Sequence, residues 1–156
     1  MNQKIDFVDK LIIEQLQEDS RISLSDLATK VNLAVSSTGE RIKRLQTMGV
    51  IEEFTCIVNP KKLGFEICSF IQVFINPDME SQFLEKILEL PEVLECHFIT
   101  GEYSYLLKVR VKSTAELEKF LSSSLNKLPG IGKSNSMISL SAFKETQKIF
   151  ISEKSN

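Results

Sequence analysis

Residues 33–50 read LAVSSTGERIKRLQTMGV, and the reading of this stretch decides the N-terminal third of the chain. Thr38, Ile42 and Leu45 stand at i, i+4 and i+7, so a helix here turns them toward a core. Gly49 is a natural stop. The front of the helix is weak, because it carries Ser36, Ser37 and Gly39, and a glycine inside a helix costs about 1 kcal/mol relative to alanine. Arg41, Lys43 and Arg44 follow within four residues. The outward face then carries Ser36, Ser37, Glu40, Lys43 and Arg44, with Arg41 on its flank.

Working back toward the N-terminus, Ser23 with Asp26 opens a short helix whose Leu24, Leu27, Ala28 and Val31 form a complete apolar stripe. Asn32 tolerates a left-handed turn between that helix and the next. Before it, Asp6 with Asp9 has the capping-box spacing for a first helix through Val8, Leu11, Ile12 and Leu16, which ends at Asp19 and Ser20. Two short helices joined by a tight turn, the second with a polar and basic outer face, make a helix-turn-helix. In that motif the second helix lies in the major groove with its N-terminal residues at the base edges. Serine hydroxyls and the Glu40 carboxylate suit base readout. Gly39 removes a side chain where backbone approaches DNA, and Arg41, Lys43 and Arg44 suit phosphates. A charged outer face is also what any solvated helix carries, so the three-helix spacing supplies most of this argument.

Downstream, residues 50–60 (VIEEFTCIVNP) alternate as a strand, and NPKKLG forms a turn and linker. The linker sets a boundary between residues 1–62, a DNA-binding domain with a connecting strand, and residues 63–156. The second part predicts a strand at 65–75, a helix through Phe83, Leu84, Ile87 and Leu88, strands at 93–100 and 103–111, a helix capped by Ser113 with Glu116, and a last strand at 134–143. The order β-α-β-β-α-β is a ferredoxin-like plait. The fold class is therefore α+β, an N-terminal (winged) helix-turn-helix joined to a ferredoxin-like domain. Strand 65–75 is apolar on both faces, with Ile71, Val73 and Ile75 on one and Phe70 and Phe74 on the other. Two helices cover one face of such a sheet, so the other calls for a partner, and a homodimer is the economical one. The tail, with Ile149, Phe150 and Ile151, either docks or adds a strand.

Composition bounds the rest. The 156 residues carry 19 Lys and Arg against 21 Asp and Glu, a net charge of −2, so any affinity for nucleic acid is local. The three cysteines, Cys56, Cys68 and Cys96, lack metal-ligand spacing and read as reduced packing residues, with no metal or cofactor implied. The N-terminus lacks a signal-peptide pattern and no apolar run reaches a membrane span, which predicts a cytoplasmic protein. The one histidine, His97, adjoins Cys96 on a strand, where neighbours face opposite ways, so no catalytic or metal pair forms and no enzyme is expected.

The order of motifs resembles the Lrp/AsnC (leucine-responsive, feast/famine) family of transcriptional regulators over residues 5–144. The stretches that carry the likeness are DFVDKLIIEQLQEDSRISLSDLATKVNLAVSSTGERIKRLQTMGVIEEFTCIVNPKKLG, then ITGEYSYLLKVRV and LPGIGKSNSMISL. The resemblance implies a DNA-binding regulator, a dimer paired through the C-terminal sheet with octamers as a further assembly, and an amino-acid effector near a Gly-x-Tyr-Asp-Tyr turn. Carried onto this sequence, the turn is Gly101, Tyr103, Ser104 and Tyr105, with Ser134 and Ser136 of the last strand as candidate partners. Two departures matter. Ala34 and Val35 stand where the family has a capping serine and a proline, so the helix start is expected to shift toward Ser36 or Ser37. Ser104 replaces the aspartate, which predicts weak or absent binding of free amino acids, with Glu102 as the available carboxylate. Two other readings compete: an architectural protein that wraps DNA with little sequence choice, and a haem-pathway decarboxylase on the same fold.

Overall fold

The computed structural model describes residues 4–151. Its contacts divide the chain into two units, one made of residues up to Ile57 together with those from Glu145 onward, the other Val58–Lys144.

The first unit contains helices α1 (Phe7–Glu18), α2 (Leu24–Lys30) and α3 (Val35–Thr47). Asp6 and Asp9 form the capping box of α1, each carboxylate accepting the other's backbone N–H. The Ser23 hydroxyl caps α2 by accepting the Asp26 N–H. Asn32 takes φ +54°, the left-handed turn expected between α2 and α3. Ile12, Leu27, Val31 and Leu45 make a small core, with Ile42 and Val50 packed against it. Helix α3 starts at Val35 with Ala34 as its N-cap and no side-chain capping bond. The expected shift of the start to Ser36 or Ser37 does not occur; the helix begins uncapped instead. Gly49 ends the turn beyond α3 at φ +69°.

The strand expected over 50–60 does not form: residues 52–59 have no strand pairing, and Phe54, Ile57 and Val58 are exposed. An alternating stretch becomes a strand only when a neighbour accepts its backbone hydrogen bonds. Among the described residues the tail adds no strand, and it is held by polar contacts while Ile149 and Phe150 stay exposed. The Gln17 side-chain amide bonds both backbone groups of Ile149, at 3.0 Å to the carbonyl and 2.8 Å from the N–H, and Lys148 pairs with Glu18 at 3.2 Å.

The second unit is the expected plait. Strands β1 (Ile67–Ile75), β2 (Val93–Phe98), β3 (Tyr105–Val111) and β4 (Ile131–Ser139) alternate with helices α4 (Glu80–Ile87) and α5 (Thr114–Lys119). The sheet order is β2-β3-β1-β4 with every pair antiparallel. Ile71, Val73 and Ile75 of β1 share one face with Tyr105, Leu107 and Val109, and pack on Phe83, Ile87, Leu117, Phe120 and Leu125. The opposite face carries Phe70, Gln72 and Phe74 with Lys108, Leu106, Met137 and Lys133 opposite them, and Phe74 and Met137 are exposed there. That face is mixed: Gln72, Lys108 and Lys133 interrupt the apolar surface that Phe70 and Phe74 suggest in the sequence.

Candidate nucleic-acid interface and effector turn

The six side chains proposed for DNA contact divide into two groups. Ser36, Ser37, Glu40 and Lys43 are all exposed on α3. Arg41 and Arg44 are half-buried and turn toward the N-terminus of α1. Arg41 Nη1 donates to Asp6 Oδ2 at 2.6 Å and to Asp9 Oδ1 at 2.8 Å. Arg44 Nη2 donates to Asp9 Oδ2 at 2.5 Å. The Asp9 side chain is 0% exposed, while those of Arg41 and Arg44 are 26% and 32% exposed. The residues that cap α1 therefore also anchor α3, a helix with no side-chain cap of its own. Burial raises the Asp6 pKa, but the hydrogen bonds from Arg41 and the Asp9 N–H, with the guanidinium charge, outweigh it and hold the carboxyl below its usual value. Hydrogen bonds to Asp6 and Asp9 raise the Arg41 pKa further.

The sequence spacing missed this acid-base cluster. The i, i+3 spacings of Asp6 with Asp9 and of Arg41 with Arg44 are visible in the sequence, but they do not show that the two pairs meet. Gly39 also has a different local explanation. A Cβ there would lie 3.3 Å from Leu24 Cδ2 of α2, so the missing side chain lets the two helices approach closely.

The turn between β2 and β3 brings together some of the expected effector residues. Ser104 closes it: its N–H donates to the Val73 carbonyl at 2.9 Å, its carbonyl accepts from Ile99 N–H at 2.8 Å, and its hydroxyl accepts from Ile75 N–H at 3.3 Å. Gly101 sits at φ +118°. Tyr105 belongs to the core: its hydroxyl donates to Glu80 at 2.7 Å, and burial followed by the Glu80 carboxylate pushes its pKa up to about 12. Ser134 and Ser136 lie opposite Val73 and Ile71, on the helix side of edge strand β4. Lys133, next to Ser134 and on the other side of β4, makes the contacts at the turn. Its ammonium pairs with Glu102 and lies 5.2 Å from the Tyr103 ring centre and 6.0 Å from that of Phe74. The hydrogen bond to Glu102 raises the Lys133 pKa.

Elsewhere, Glu95 bridges Lys108 at 2.8 Å and His97 at 3.2 Å. Cys68 and Cys96 are half-buried, but Cys56 is exposed, so the packing role expected for all three fails for Cys56. Among the described residues no group of three His, Cys, Asp or Glu is arranged to hold a metal ion, and no helix is long and apolar enough to cross a membrane.

Two family models match the chain. Residues 6–52 match the winged helix-turn-helix DNA-binding family, and residues 68–149 match the Lrp/AsnC ligand binding domain. The HTH-type transcriptional regulator FL11 of Pyrococcus furiosus is 37% identical over 145 residues, covering 93% of this chain and 95% of its own. The leucine-responsive regulatory protein of Escherichia coli is 32% identical over 150 residues, covering 94% and 92%. Among solved structures, a transcriptional regulator from Neisseria meningitidis in complex with L-Met superposes with a TM-score of 0.88 at 27% identity, covering 94% and 96%, and E. coli AsnC with 0.85 at 26%, covering 93% and 98%. These relatives are named as regulators, which favours that reading over an architectural protein or a decarboxylase. With both domain types in order along one chain, and relatives matched over nearly their full length, the protein belongs to the Lrp/AsnC family of transcriptional regulators and carries that family's helix-turn-helix for DNA.

Proposed function

We propose that the exposed face of α3 reads the operator, with Ser36, Ser37 and Glu40 at base edges and Lys43 at phosphate. The observation that supports this is the division of α3 itself: one side is locked to α1 by Arg41 and Arg44, and the other presents Ser36, Ser37, Glu40 and Lys43 unburied. Hydroxyl and carboxylate groups discriminate bases, and a lysine neutralises phosphate without regard to sequence. The protein acts as a homodimer where the DNA is, in the cytoplasm. The second copy covers the sheet face that bears Phe70, Phe74 and Met137, octamers are a further assembly, and catalysis is no part of its role. The test is a salt titration of DNA binding. Lys43→Ala weakens binding to every sequence and flattens the salt dependence by about one unit of slope. Ser37→Ala and Glu40→Ala change the motif recovered from randomised sites. An unchanged motif in both variants removes α3 from base readout.

The effector turn is Gly101, Tyr103 and Ser104, completed by Lys133, with Ser134 beside it. The N. meningitidis regulator was solved as a complex with L-Met, and the turn is where an amino acid would meet this chain. A zwitterion needs an anion for its ammonium and a cation for its carboxylate. Here the available carboxylate, Glu102, is paired with Lys133, and Ser104 supplies only a hydroxyl already bonded to Ile75. Free amino acids therefore bind weakly and leave DNA affinity largely unchanged. Calorimetric titration against the twenty amino acids tests this, and a dissociation constant well below a millimolar that is lost in Tyr103→Ala or Ser104→Ala overturns it.

A further inference from the structure

The arginines that make α3 look basic in sequence are matched by an equal number of acids. Asp6, Asp9, Arg41 and Arg44 form a closed set of contacts whose formal charges cancel. On the open face, Lys43 is offset by Glu40. The two acids differ in one respect. Asp9 is wholly buried, accepts from both guanidinium groups and from the Asp6 N–H, and is part of the frame that holds α3. Asp6 is 46% exposed, and its Oδ2 is bonded to Arg41 Nη1 and nothing else among the described contacts, while Oδ1 caps α1. A carboxylate and a phosphodiester present a guanidinium with similar oxygen acceptors and one negative charge each.

We propose that Asp6 limits DNA affinity: its exposed carboxylate occupies the part of Arg41 that a DNA phosphate would otherwise take, so that this arginine adds little sequence-independent attraction. The inference rests on the assignment of α3 to DNA made above. It gives the nearly neutral α3 face a consequence, because a helix with little phosphate attraction depends on its serines and Glu40 for binding and discriminates more sharply between sites. Asp9 and Arg44 are outside this exchange, since Asp9 has no exposure to lose.

The test uses the full-length protein and four variants, Asp6→Asn, Arg41→Gln, the two combined, and Lys43→Ala, with random-sequence and operator DNA over a range of salt. Asp6→Asn keeps an N-cap side chain of nearly equal quality, so the helix survives the change. It is expected to raise affinity for random DNA about three- to tenfold at low salt and to steepen the salt slope by about one unit for each chain engaged, the value for one additional phosphate. In the Arg41→Gln background the same substitution is expected to give no gain. A gain that persists without Arg41 means that any lost negative charge helps and overturns the specific pairing. An affinity and slope that Asp6→Asn leaves unmoved, while Lys43→Ala weakens binding, overturns the inference and leaves the α3 interface standing. If neither substitution changes binding, the interface assignment itself falls, and this inference with it.

Discussion

Replacing Asp9 by asparagine changes one oxygen to an amine with almost no change in shape, and the contacts allow its cost to be worked out. Oδ2 accepts from Arg44 at 2.5 Å and from the Asp6 N–H at 3.0 Å, and Oδ1 accepts from Arg41 at 2.8 Å. The better amide orientation keeps its oxygen at the Oδ2 position and points its NH2 at the Arg41 guanidinium, donor against donor. One charge-assisted hydrogen bond, worth about 1.5–3 kcal/mol, is lost. The Arg44 bond also loses its ionic character. Breaking a fully buried ion pair costs about 3–5 kcal/mol. Arg41 and Arg44 are 26% and 32% exposed, so water recovers part of this, and the expected loss is about 2–3 kcal/mol. Small domains have a total stability of only about 0.05–0.15 kcal/mol per residue, so this is a large share for a unit built mainly from three helices. The melting transition should fall by about 10–20 °C. Hydrogen exchange read by mass spectrometry should show protection lost across α1–α3 and retained in β1–β3. The cycle with Arg44→Met should give a coupling above about 1 kcal/mol. A shift of under about 0.5 kcal/mol in Asp9→Asn, or strict additivity with Arg44→Met, would refute the view that this carboxylate anchors α3.

Two further outcomes follow from the second unit. Tyr105 has its pKa raised to about 12 by burial and by Glu80, against about 10 when unfolded. Because the folded value is the higher, its contribution is complete below pH 10 and is lost as pH rises from about 10 toward 12, on the order of 2–3 kcal/mol in total. Urea denaturation at pH 8, 10 and 11.5 should show this decline, and Tyr105→Phe should flatten it. Gly130 sits at φ +78°, and a Cβ there would fall 2.5 Å from Met79 Cβ. Gly130→Ala combines left-handed strain with overpacking and should cost about 2–4 kcal/mol by chemical denaturation; a neutral result would show that the turn before β4 relaxes freely.

Elements governed by nearby residues were legible in the sequence. The capping pairs Asp6–Asp9, Ser23–Asp26 and Ser113–Glu116 mark helix starts, and the alternation of Ile71, Val73 and Ile75 marks the buried face of β1, because each pattern is written over three to five residues. Residues 50–60 alternate equally well and yet form no strand, since alternation reports which side chains prefer burial and not whether another backbone is present to pair with. The same limit explains Lys133. The family resemblance pointed to Ser134 and Ser136 on the last strand, but which residue meets the turn is set by the pairing of β4 with β1, where Lys133 lies opposite Phe74.

The arginines of α3 show the most consequential form of that limit. A helical wheel puts Arg41 on a flank and Arg44 on the outward face, yet both guanidinium groups turn inward to a neighbouring helix. Asp6 and Asp9 stand more than thirty residues earlier in the chain, and nothing local to α3 indicates that they will be opposite. Two consequences follow from the distances. Substituting Arg44 loosens the domain before it tests any contact with DNA, so a loss of binding in Arg44→Ala does not by itself place that residue at phosphate. On the proposed assignment of α3 to DNA, Lys43, exposed and outside the acid cluster, is a cation whose removal is expected to report on binding without loosening the domain, and comparing its salt slope with that of Arg44→Ala tests that assignment.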